Sequence, residues 1–206
     1  MSHRPVSYRL LPGDVVGERR LPAISGGDVP LPGDRPVHLQ FRRFAGCPVC
    51  DLHLRTVARR HGELEAAGLR EVVVFHSPAA DLAAHAAGLP FDLVADPEKR
   101  LYADFGVESG ARSLVDPRVW PRIVGGVALS LRDVLTGRRP MPPVDPPGGR
   151  FGLPADFLIA TDGRVLACRY GVHAYDQWSV DDVLERAAGA VPAAQDATRP
   201  GRRART

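Results

Sequence analysis

Two cysteines separated by two residues, Cys47 and Cys50, are the side chains of this chain whose types and spacing best suit chemistry. Pro48 follows Cys47 directly, and proline is favoured at the first position of a helix because its missing N–H is not needed there. Cys47 is therefore predicted to be the N-cap, where unpaired backbone N–H groups and the helix dipole favour a thiolate. Cys50, one helical turn later, is placed to attack a mixed disulfide formed at Cys47. The pattern predicts a dithiol redox centre in which both cysteines are catalytic.

Two other interpretations of the cysteine pair stay open. A structural zinc site needs four nitrogen or sulfur ligands, and the only other cysteine is Cys168, with no second pair of the same spacing. A static disulfide would add little to a chain of this size. The order of strand, glycine, Cys-Pro-x-Cys and helix favours redox chemistry over both. We expect Cys168 to be a buried, small apolar residue on a strand, with a resolving role as the alternative.

Composition excludes several classes of protein. The 206 residues are 44% hydrophobic and 25% charged, which are globular values. The net charge of +3 comes from residues 191–206, which carry four arginines and one aspartate, so we expect a disordered basic tail and no nucleic-acid partner. Three cysteines do not make a disulfide-rich secreted scaffold. We find no apolar run of ~18 residues and no signal-peptide core, and therefore expect a cytoplasmic protein without a membrane partner.

The strand and helix signals alternate through the first half of the domain. Apolar alternation from Val37 to Phe41 predicts a strand, and a continuous β-branched run predicts a buried parallel strand at 71–76. A further strand at 91–95 and the helices between them give a β-α-β-α-β-α order, which indicates an α/β fold with helices on both faces of the sheet. After residue 150 a hairpin, turning at Asp162-Gly163, and a last helix close the pattern.

Three other segments complete the predicted organisation. Residues 1–36 are rich in turn signals and form an N-terminal extension to a domain that spans 37–190. Residues 107–150 interrupt the domain with a helix and a long proline-rich loop. That helix carries an apolar stripe from Val124 to Leu135, which we expect to pack into the core, with a partner- or lipid-facing helix as the alternative.

The order of elements resembles that of thioredoxin-like proteins. The segment Gly152-Leu153-Pro154-Ala155-Asp156-Phe157 resembles the place where such proteins have a cis-proline just before a strand. The resemblance implies a thioredoxin-like three-layer fold with a central mixed sheet, with the 107–150 insertion lying before the cis-proline strand. It also implies that Pro154 is the cis-proline and that Leu153 offers backbone groups to a substrate disulfide.

The chain also resembles the peroxiredoxin-like branch of the AhpC/TSA family. The similar segments are Leu11-Pro12-Gly13-Asp14, Leu31-Pro32-Gly33, Phe41 to Cys50, Asp96 to Tyr102 and Phe105-Gly106-Val107. By this resemblance Phe44 and Pro48 join Leu153 and Pro154 as substrate-binding residues, and no metal or organic cofactor is required. The family places Pro and Thr or Ser ahead of its peroxidatic cysteine; here Gln40 and Phe44 stand at those positions. We therefore expect weaker peroxide chemistry than in a typical member.

The resulting prediction is a thiol-disulfide redox protein that uses Cys47 and Cys50 to reduce disulfides or peroxides. Its partners would be a protein disulfide or hydroperoxide and an external thiol reductant, and a homodimer is one assembly open to it. A true thiol peroxidase is the alternative enzyme. The non-enzymatic alternative is a redox-sensing module whose 107–150 segment binds a partner.

Three side chains near the cysteines carry smaller predictions. His76 ends the second central strand, where we expect a capping or partly exposed histidine, with a proton-shuttle role for Cys50 as the alternative. His53 is expected on a solvated face of the helix. Arg42 and Arg43 follow each other on a strand, so alternation allows only one of them to face the cysteines.

Overall fold

The computed structural model describes residues 8–86, 88–107, 120–143, 145–146, 148–149 and 152–190. The predicted tail at 191–206 and the first part of the predicted insertion, 108–119, lie outside these residues. The elements in chain order are β1 (Arg19–Pro22), β2 (Asp28–Leu31), β3 (Val37–Arg42), α1 (Pro48–Arg59), α2 (His61–Ala66), β4 (Arg70–Phe75), α3 (Ala79–Ala86), β5 (Asp92–Ala95), α4 (Arg100–Asp104), α5 (Trp120–Leu135), β6 (Ala155–Ile159), β7 (Val165–Tyr170) and α6 (Val180–Ala190).

The central sheet of the described chain has five strands in the order β5-β4-β3-β6-β7. Strands β3, β4 and β5 are parallel, whereas β6 runs antiparallel to β3 and β7 antiparallel to β6. This arrangement confirms the predicted α/β fold with a central mixed sheet. The register pairs Phe41 of β3 with Val74 on one side and Ala155 on the other. The loops that follow β3 and β4 and the loop that precedes β6 therefore meet at one edge of the sheet.

Strand β3 is buried on both faces, but its two faces differ in chemistry. Val37, Leu39 and Phe41 point into an apolar core that α4 and the Phe105 ring complete. The alternate residues His38, Gln40 and Arg42 are also fully buried and face the side covered by α1. Because side chains alternate along a strand, one six-residue element supplies both the core of one layer and a polar row in the next.

The N-terminal strands β1 and β2 form an antiparallel hairpin at the β5 edge of the sheet. Leu21, Val29 and Leu31 of this hairpin are buried in the main core. The backbone N–H of Ile24 donates to the carbonyl of Leu93, which ties the hairpin to β5. The hairpin thus covers backbone of the edge strand that would otherwise stay unpaired.

The predicted cis-proline is wrong. The one cis peptide bond among the described residues joins Leu31 to Pro32, and the Leu153–Pro154 bond is trans. Pro154 is buried one residue before β6, where its carbonyl accepts a hydrogen bond from the N–H of Gly171 at 2.8 Å. Tertiary packing rather than sequence selects the isomer of an X–Pro bond in an ordered loop, so the resemblance alone did not determine it.

The apolar stripe of α5 does not pack into the core, contrary to the prediction. Val124 and Leu135 are 63% and 77% exposed, and Val127 and Leu131 are also exposed. Instead α5 packs on α1 through small and polar residues. A Cβ on Gly126 would lie 2.7 Å from the carbonyl oxygen of Pro48, so only glycine allows the two helices this close.

Candidate active site

The two cysteines lie at the start of α1, as the sequence predicts. Cys47 is the N-cap with extended backbone angles (φ −61°, ψ 115°), and Pro48 occupies the first helical position. Gly46, with a φ of 80°, makes the turn that brings the chain from β3 to this helix, and the ring of His85 packs against it. Both thiols are free, and Cys47 and Cys50 are each only 2% exposed. The site is therefore a reduced dithiol that is shielded from bulk water.

The surroundings of the two thiols give them different pKa values. Burial by itself raises the pKa of Cys47, but a hydrogen bond from Cys50, the charge of Arg43 and the N–H groups of Cys50 and Val49 lower it to about 6 from 9.0. The pKa of Cys50 is raised well above 9.0 by its hydrogen bond to Cys47, by burial and by the neighbouring charge. Near neutral pH the pair therefore holds one thiolate, at Cys47, and one thiol, at Cys50.

Arg42 and Arg43 face opposite sides, as the alternation of side chains along a strand predicts. Arg43 is buried, lies beside Cys47 in the wall of the same cavity, and has its guanidinium 5.6 Å from the centre of the Phe44 ring. Arg42 points away from the cavity, and its Nη2 donates to Oδ1 of Asp156 at 2.7 Å. Arg43 is thus the cation that faces the thiolate.

A cavity of about 370 Å³ lies next to Cys47. Its walls are apolar except at Arg43, and the lining residues are Arg43, Phe44, Cys47, Pro48, Val49, Trp120, Ile123, Val127, Pro142 and Pro143. Half of this lining comes from α5 and the proline-rich loop that follows it. The volume is that of a small-molecule site, and the lining favours an apolar ligand.

An ion-pair network fixes α5 and the following loop against α1. Arg55 on α1 donates to Asp51 at 2.8 Å and also to Asp133 on α5. Arg139, four residues after α5, donates to the other oxygen of Asp51. Asp133 is 3% exposed, so its charge is compensated in a largely dry contact. Helix α5 and the loop after it therefore form a wall of the cysteine site that is held by charge as well as by packing.

A buried charged network lies under α1, on the polar face of β3. His38 contacts Glu71 at 2.9 Å and Asp156 at 3.5 Å, and Asp156 also accepts from Arg42 and from the backbone N–H of Trp178. Burial lowers the pKa of His38, but Glu71 and Asp156 raise it to about 9 overall. Burial raises the pKa of Asp156, but Arg42 and His38 hold it well below its usual range.

The predicted exposure of two histidines is wrong. His53 is 5% exposed, with its Nε2 3.4 Å from Nη2 of Arg42, and burial together with the Arg42 charge lowers its pKa to about 3. His76 is 1% exposed, and its backbone N–H donates to the carbonyl of Arg43 at 3.3 Å. Burial keeps His53 neutral and brings His76 next to the strand end that carries Arg43. Gly152 packs over the His76 ring, where a Cβ would lie 3.2 Å from its Nε2.

The third cysteine belongs to a different part of the molecule. The predicted burial of Cys168 is wrong: the residue is only partly buried, because it lies on the edge strand β7, and its Sγ lies 3.4 Å from the carbonyl oxygen of Leu10. It packs against the core on the α4 side of the sheet, whereas Cys47 and Cys50 form a separate cluster with Phe44 and Val49. Cys47 and Cys50 therefore lie together, and Cys168 lies apart from them.

The structure brings together part of the predicted site. Phe44 and Pro48 line the cavity with Cys47, while Leu153 and Pro154 do not line it. The contribution of α5 and its loop to the cavity was not predicted from the sequence. The available signal was the combination of an apolar helix with the Pro142-Pro143 pair in a segment that interrupts the fold.

Two features are absent from the described residues: a cluster of metal ligands and a membrane-spanning helix. No group of three or more histidine, cysteine, aspartate or glutamate side chains in that part of the chain could hold a metal ion. None of the described helices is both long and apolar enough to cross a membrane.

Comparison with known proteins identifies the family. Residues 56–173 match the family of AhpC/TSA antioxidant enzymes, a range that covers more than half of the chain and begins after Cys50. The chain therefore belongs to the AhpC/TSA family. It is a peroxiredoxin-like, thiol-dependent oxidoreductase. No curated protein sequence matches it.

Solved structures show the same fold at low sequence identity. The peroxidoxin BcpB from Mycobacterium tuberculosis is 20% identical with a TM-score of 0.59, covering 88% of this chain and 96% of that one. A putative thiol:disulfide interchange protein DsbE from Chlorobium tepidum is 18% identical with a TM-score of 0.54, covering 87% and 96%. The reduced 2-Cys peroxiredoxin of Plasmodium vivax is 15% identical with a TM-score of 0.60, covering 87% and 81%. These likenesses confirm the thioredoxin-like fold of peroxiredoxins.

Proposed function

We propose that this protein is a dithiol oxidoreductase in which Cys47 attacks a small apolar hydroperoxide or disulfide and Cys50 resolves the product. The observation that carries the proposal is the environment of Cys47: a pKa of about 6, a hydrogen bond from Cys50, and an opening onto an apolar cavity. A thiolate is the nucleophile in both reactions, and a neighbouring thiol of high pKa keeps its proton until it is needed.

In the hydroperoxide reaction, the two cysteines supply both electrons that reduce the O–O bond. The Cys47 thiolate attacks the terminal peroxide oxygen, the O–O bond breaks, and the alkoxide takes a proton to leave as an alcohol. Cys47 is then a sulfenic acid. Cys50 loses its proton and attacks the Cys47 sulfur, which releases water and forms the Cys47–Cys50 disulfide. An external thiol reductant restores the dithiol by exchange.

The disulfide reaction uses the same two sulfurs. The Cys47 thiolate attacks one sulfur of the substrate and expels the other as a thiolate, which leaves a mixed disulfide on Cys47. Cys50 then displaces the first substrate sulfur and closes the Cys47–Cys50 bond. One of the similar structures is described as a putative thiol:disulfide interchange protein, and others are described as a peroxidoxin and a peroxiredoxin, so both substrate types have a counterpart in this fold.

The cavity favours small apolar substrates over folded protein disulfides. Cys47 is 2% exposed, so a protein disulfide can approach it only through the cavity, which accommodates one side chain or a small molecule. Hydrogen peroxide makes no use of apolar walls, and Phe44 supplies no hydroxyl to hold it. We assign Phe44 and Pro48 to substrate contact within this proposal and leave Leu153 and Pro154 out of it.

Trapping the intermediates tests the roles of the cysteines. We expect Cys50→Ser to accumulate sulfenic acid on Cys47 with cumene hydroperoxide and a mixed disulfide with a small aromatic disulfide, both detected by mass spectrometry. Cys47→Ser should abolish turnover, and Cys168→Ser, the matched control, should retain it. Alkylation of the reduced wild type near neutral pH should reach Cys47 first. Turnover that survives in Cys47→Ser would disprove the assignment.

A substrate series tests the selectivity. Cumene hydroperoxide should oxidise Cys47 faster than hydrogen peroxide does, because the apolar walls bind only the former. Phe44→Thr, which introduces the hydroxyl usual in the family, should narrow this difference by raising the rate with hydrogen peroxide. A wild-type rate with hydrogen peroxide near ~10⁸ M⁻¹s⁻¹, the upper range of enzyme efficiency, would contradict the proposed selectivity.

A further inference from the structure

A second, smaller cavity adjoins the two cysteines. Its volume is about 20 Å³, and about 10–15 Å³ is enough for one water molecule where polar groups face the space. Cys47 lines both this cavity and the apolar one, whereas Cys50 lines only the smaller of the two. We call it the Cys50 cavity and define it by its polar lining, which is Cys47, Cys50, Asp51, His85 and Arg139.

His85, in the last turn of α3, is the histidine that faces the Cys50 cavity. Its ring packs on the turn just before Cys47, where a Cβ on Gly46 would lie 2.9 Å from the ring Nδ1. Neither His76 nor His53 lines this cavity. The proton-shuttle role that the sequence allowed for His76 therefore fits the position of His85 instead.

Cys50 needs a base when it attacks the oxidised Cys47. The pKa of Cys50 is raised by its hydrogen bond to Cys47, by burial and by the Cys47 charge. The contributions of Cys47 disappear once its sulfur is oxidised, but the burial persists, so Cys50 remains a thiol near neutral pH. Because a thiol is a poor nucleophile, its proton has to move to another group as the new bond forms.

Charged groups from three parts of the chain surround His85. Asp51 of α1 and Arg139 of the loop after α5 are paired with each other and line the Cys50 cavity, and Asp81 lies one turn earlier on α3. Asp133 of α5 lines an adjoining small space together with His85. Burial lowers the pKa of His85 below its ordinary 6.5, and Arg139 adds to this effect, while the carboxylates Asp81 and Asp51 oppose it without reversing it. His85 is therefore neutral near pH 7 and able to accept a proton.

We propose that His85 accepts the proton of Cys50 as Cys50 attacks the oxidised Cys47, with one water molecule in the Cys50 cavity carrying the proton between them. This inference rests on the proposed function, in which Cys50 is the resolving cysteine. The Cys50 sulfur uses its electron pair to form the S–S bond, and the S–O bond of the Cys47 sulfenic acid breaks. The released hydroxide takes a proton from solvent, and His85, which is 9% exposed, returns its proton to solvent. With a mixed disulfide on Cys47, the leaving group is the substrate thiolate and the proton transfer is the same.

The pH dependence of the resolving step tests the role of His85. Time-resolved mass spectrometry, after the reduced protein is mixed with cumene hydroperoxide, follows the conversion of sulfenic acid to disulfide. In the wild type the rate should rise with pH as His85 loses its proton, with a midpoint below 6.5, and should then level off. In His85→Asn the rate at pH 7 should be lower by on the order of 10²-fold and should rise about tenfold per pH unit, because hydroxide alone then ionises Cys50.

Two controls separate this step from general damage to the protein. His61→Asn removes a histidine that lines a different cavity, at the start of β4 and thus at the end of the sheet away from the cysteines, and it should keep the wild-type profile. The rate of sulfenic acid formation should be unchanged in His85→Asn, since Arg43, Cys50 and nearby N–H groups are what lower the pKa of Cys47.

The shape of the pH profile decides the proposal. Parallel profiles in the wild type and His85→Asn, offset by a constant factor, would show a structural role and overturn it. A wild-type rate that rises about tenfold per pH unit up to about pH 8, with no plateau, would overturn it even if the variant failed to fold. In both cases the Cys47–Cys50 disulfide still forms and the proposed function stands. A wild type that accumulates sulfenic acid and forms no disulfide would overturn the proposed function itself, and the role of His85 with it.

Discussion

Replacing Arg43 tests whether a buried cation, rather than the helix terminus alone, activates Cys47. Arg43 lies beside Cys47 in the cavity wall, and its charge is one of the influences that lower the pKa of Cys47 to about 6. Arg43→Met keeps most of the aliphatic length of the side chain and removes the charge. Arg43→Lys keeps a positive charge at nearly the same place and is the matched control.

The expected change in the pKa of Cys47 follows from the relative strengths of the groups that lower it. An opposite charge within ~4–6 Å lowers a pKa by about 1 to 3. The hydrogen bond from Cys50 lowers the pKa more than Arg43 does, so we assign Arg43 the lower end, about 1. Arg43→Met should then move the pKa of Cys47 from about 6 to about 7. At pH 6 the thiolate fraction would fall from about one half to about one tenth, and alkylation would slow about five-fold.

The assay is the pH dependence of iodoacetamide alkylation, resolved by peptide mass spectrometry. Cys168 in the same sample reports any general effect of the variant on reactivity. We expect the midpoint at Cys47 to shift upward in Arg43→Met, to stay near the wild-type value in Arg43→Lys, and to shift further in Cys50→Ala. An unshifted midpoint in Arg43→Met, or equal shifts in the methionine and lysine variants, would refute the electrostatic role of Arg43.

Two more predictions concern packing and the buried network. Gly126→Ala should lower the free energy of unfolding by about 1–3 kcal/mol, because its Cβ would press on the carbonyl of Pro48. Gly125→Ala has open space around its Cβ and should raise the free energy of unfolding by up to about 1 kcal/mol. Urea titration measures both variants, and equal effects would contradict the proposed packing of Gly126. His38 has a folded pKa of about 9, above the ordinary 6.5, so its contribution to stability is complete below about 6.5 and is lost as the pH rises through about 9. We expect the wild type to lose up to about 3 kcal/mol across that window, and His38→Gln to flatten the decline in unfolding experiments at several pH values.

The local signals of the cysteine motif predicted its structure well. Glycine, Cys-Pro-x-Cys and a following amphipathic segment set the turn, the N-cap and the first helical residue through short-range backbone effects, and these do not depend on the rest of the fold. The alternation of side chains along β3 is equally local, and it correctly predicted that Arg42 and Arg43 face opposite sides. The α/β fold with parallel strands followed from the order of strand and helix signals, whereas the mixed character of the sheet was implied by the resemblance to thioredoxin-like proteins.

The errors came from features that depend on distant parts of the chain. His53 looked like a solvated helix residue because its burial depends on Arg42 and Asp156, which other strands supply. The stripe of α5 looked like a core face because periodicity shows that apolar residues share a side of a helix, but not what that side meets. Pro154 was assigned by resemblance, while the bond isomer is determined by the loop's own packing.

The buried network under α1 has a consequence for how this sequence can change over generations. Arg42 and His38 supply positive charge and Glu71 and Asp156 supply negative charge, all within the sheet. Losing one partner leaves an uncompensated charge in a dry site, at a cost of about 3–5 kcal/mol, whereas replacing the whole set by apolar residues of similar volume is close to neutral. The four positions should therefore be inherited as a block, so that relatives retain all four residue types or have lost them together.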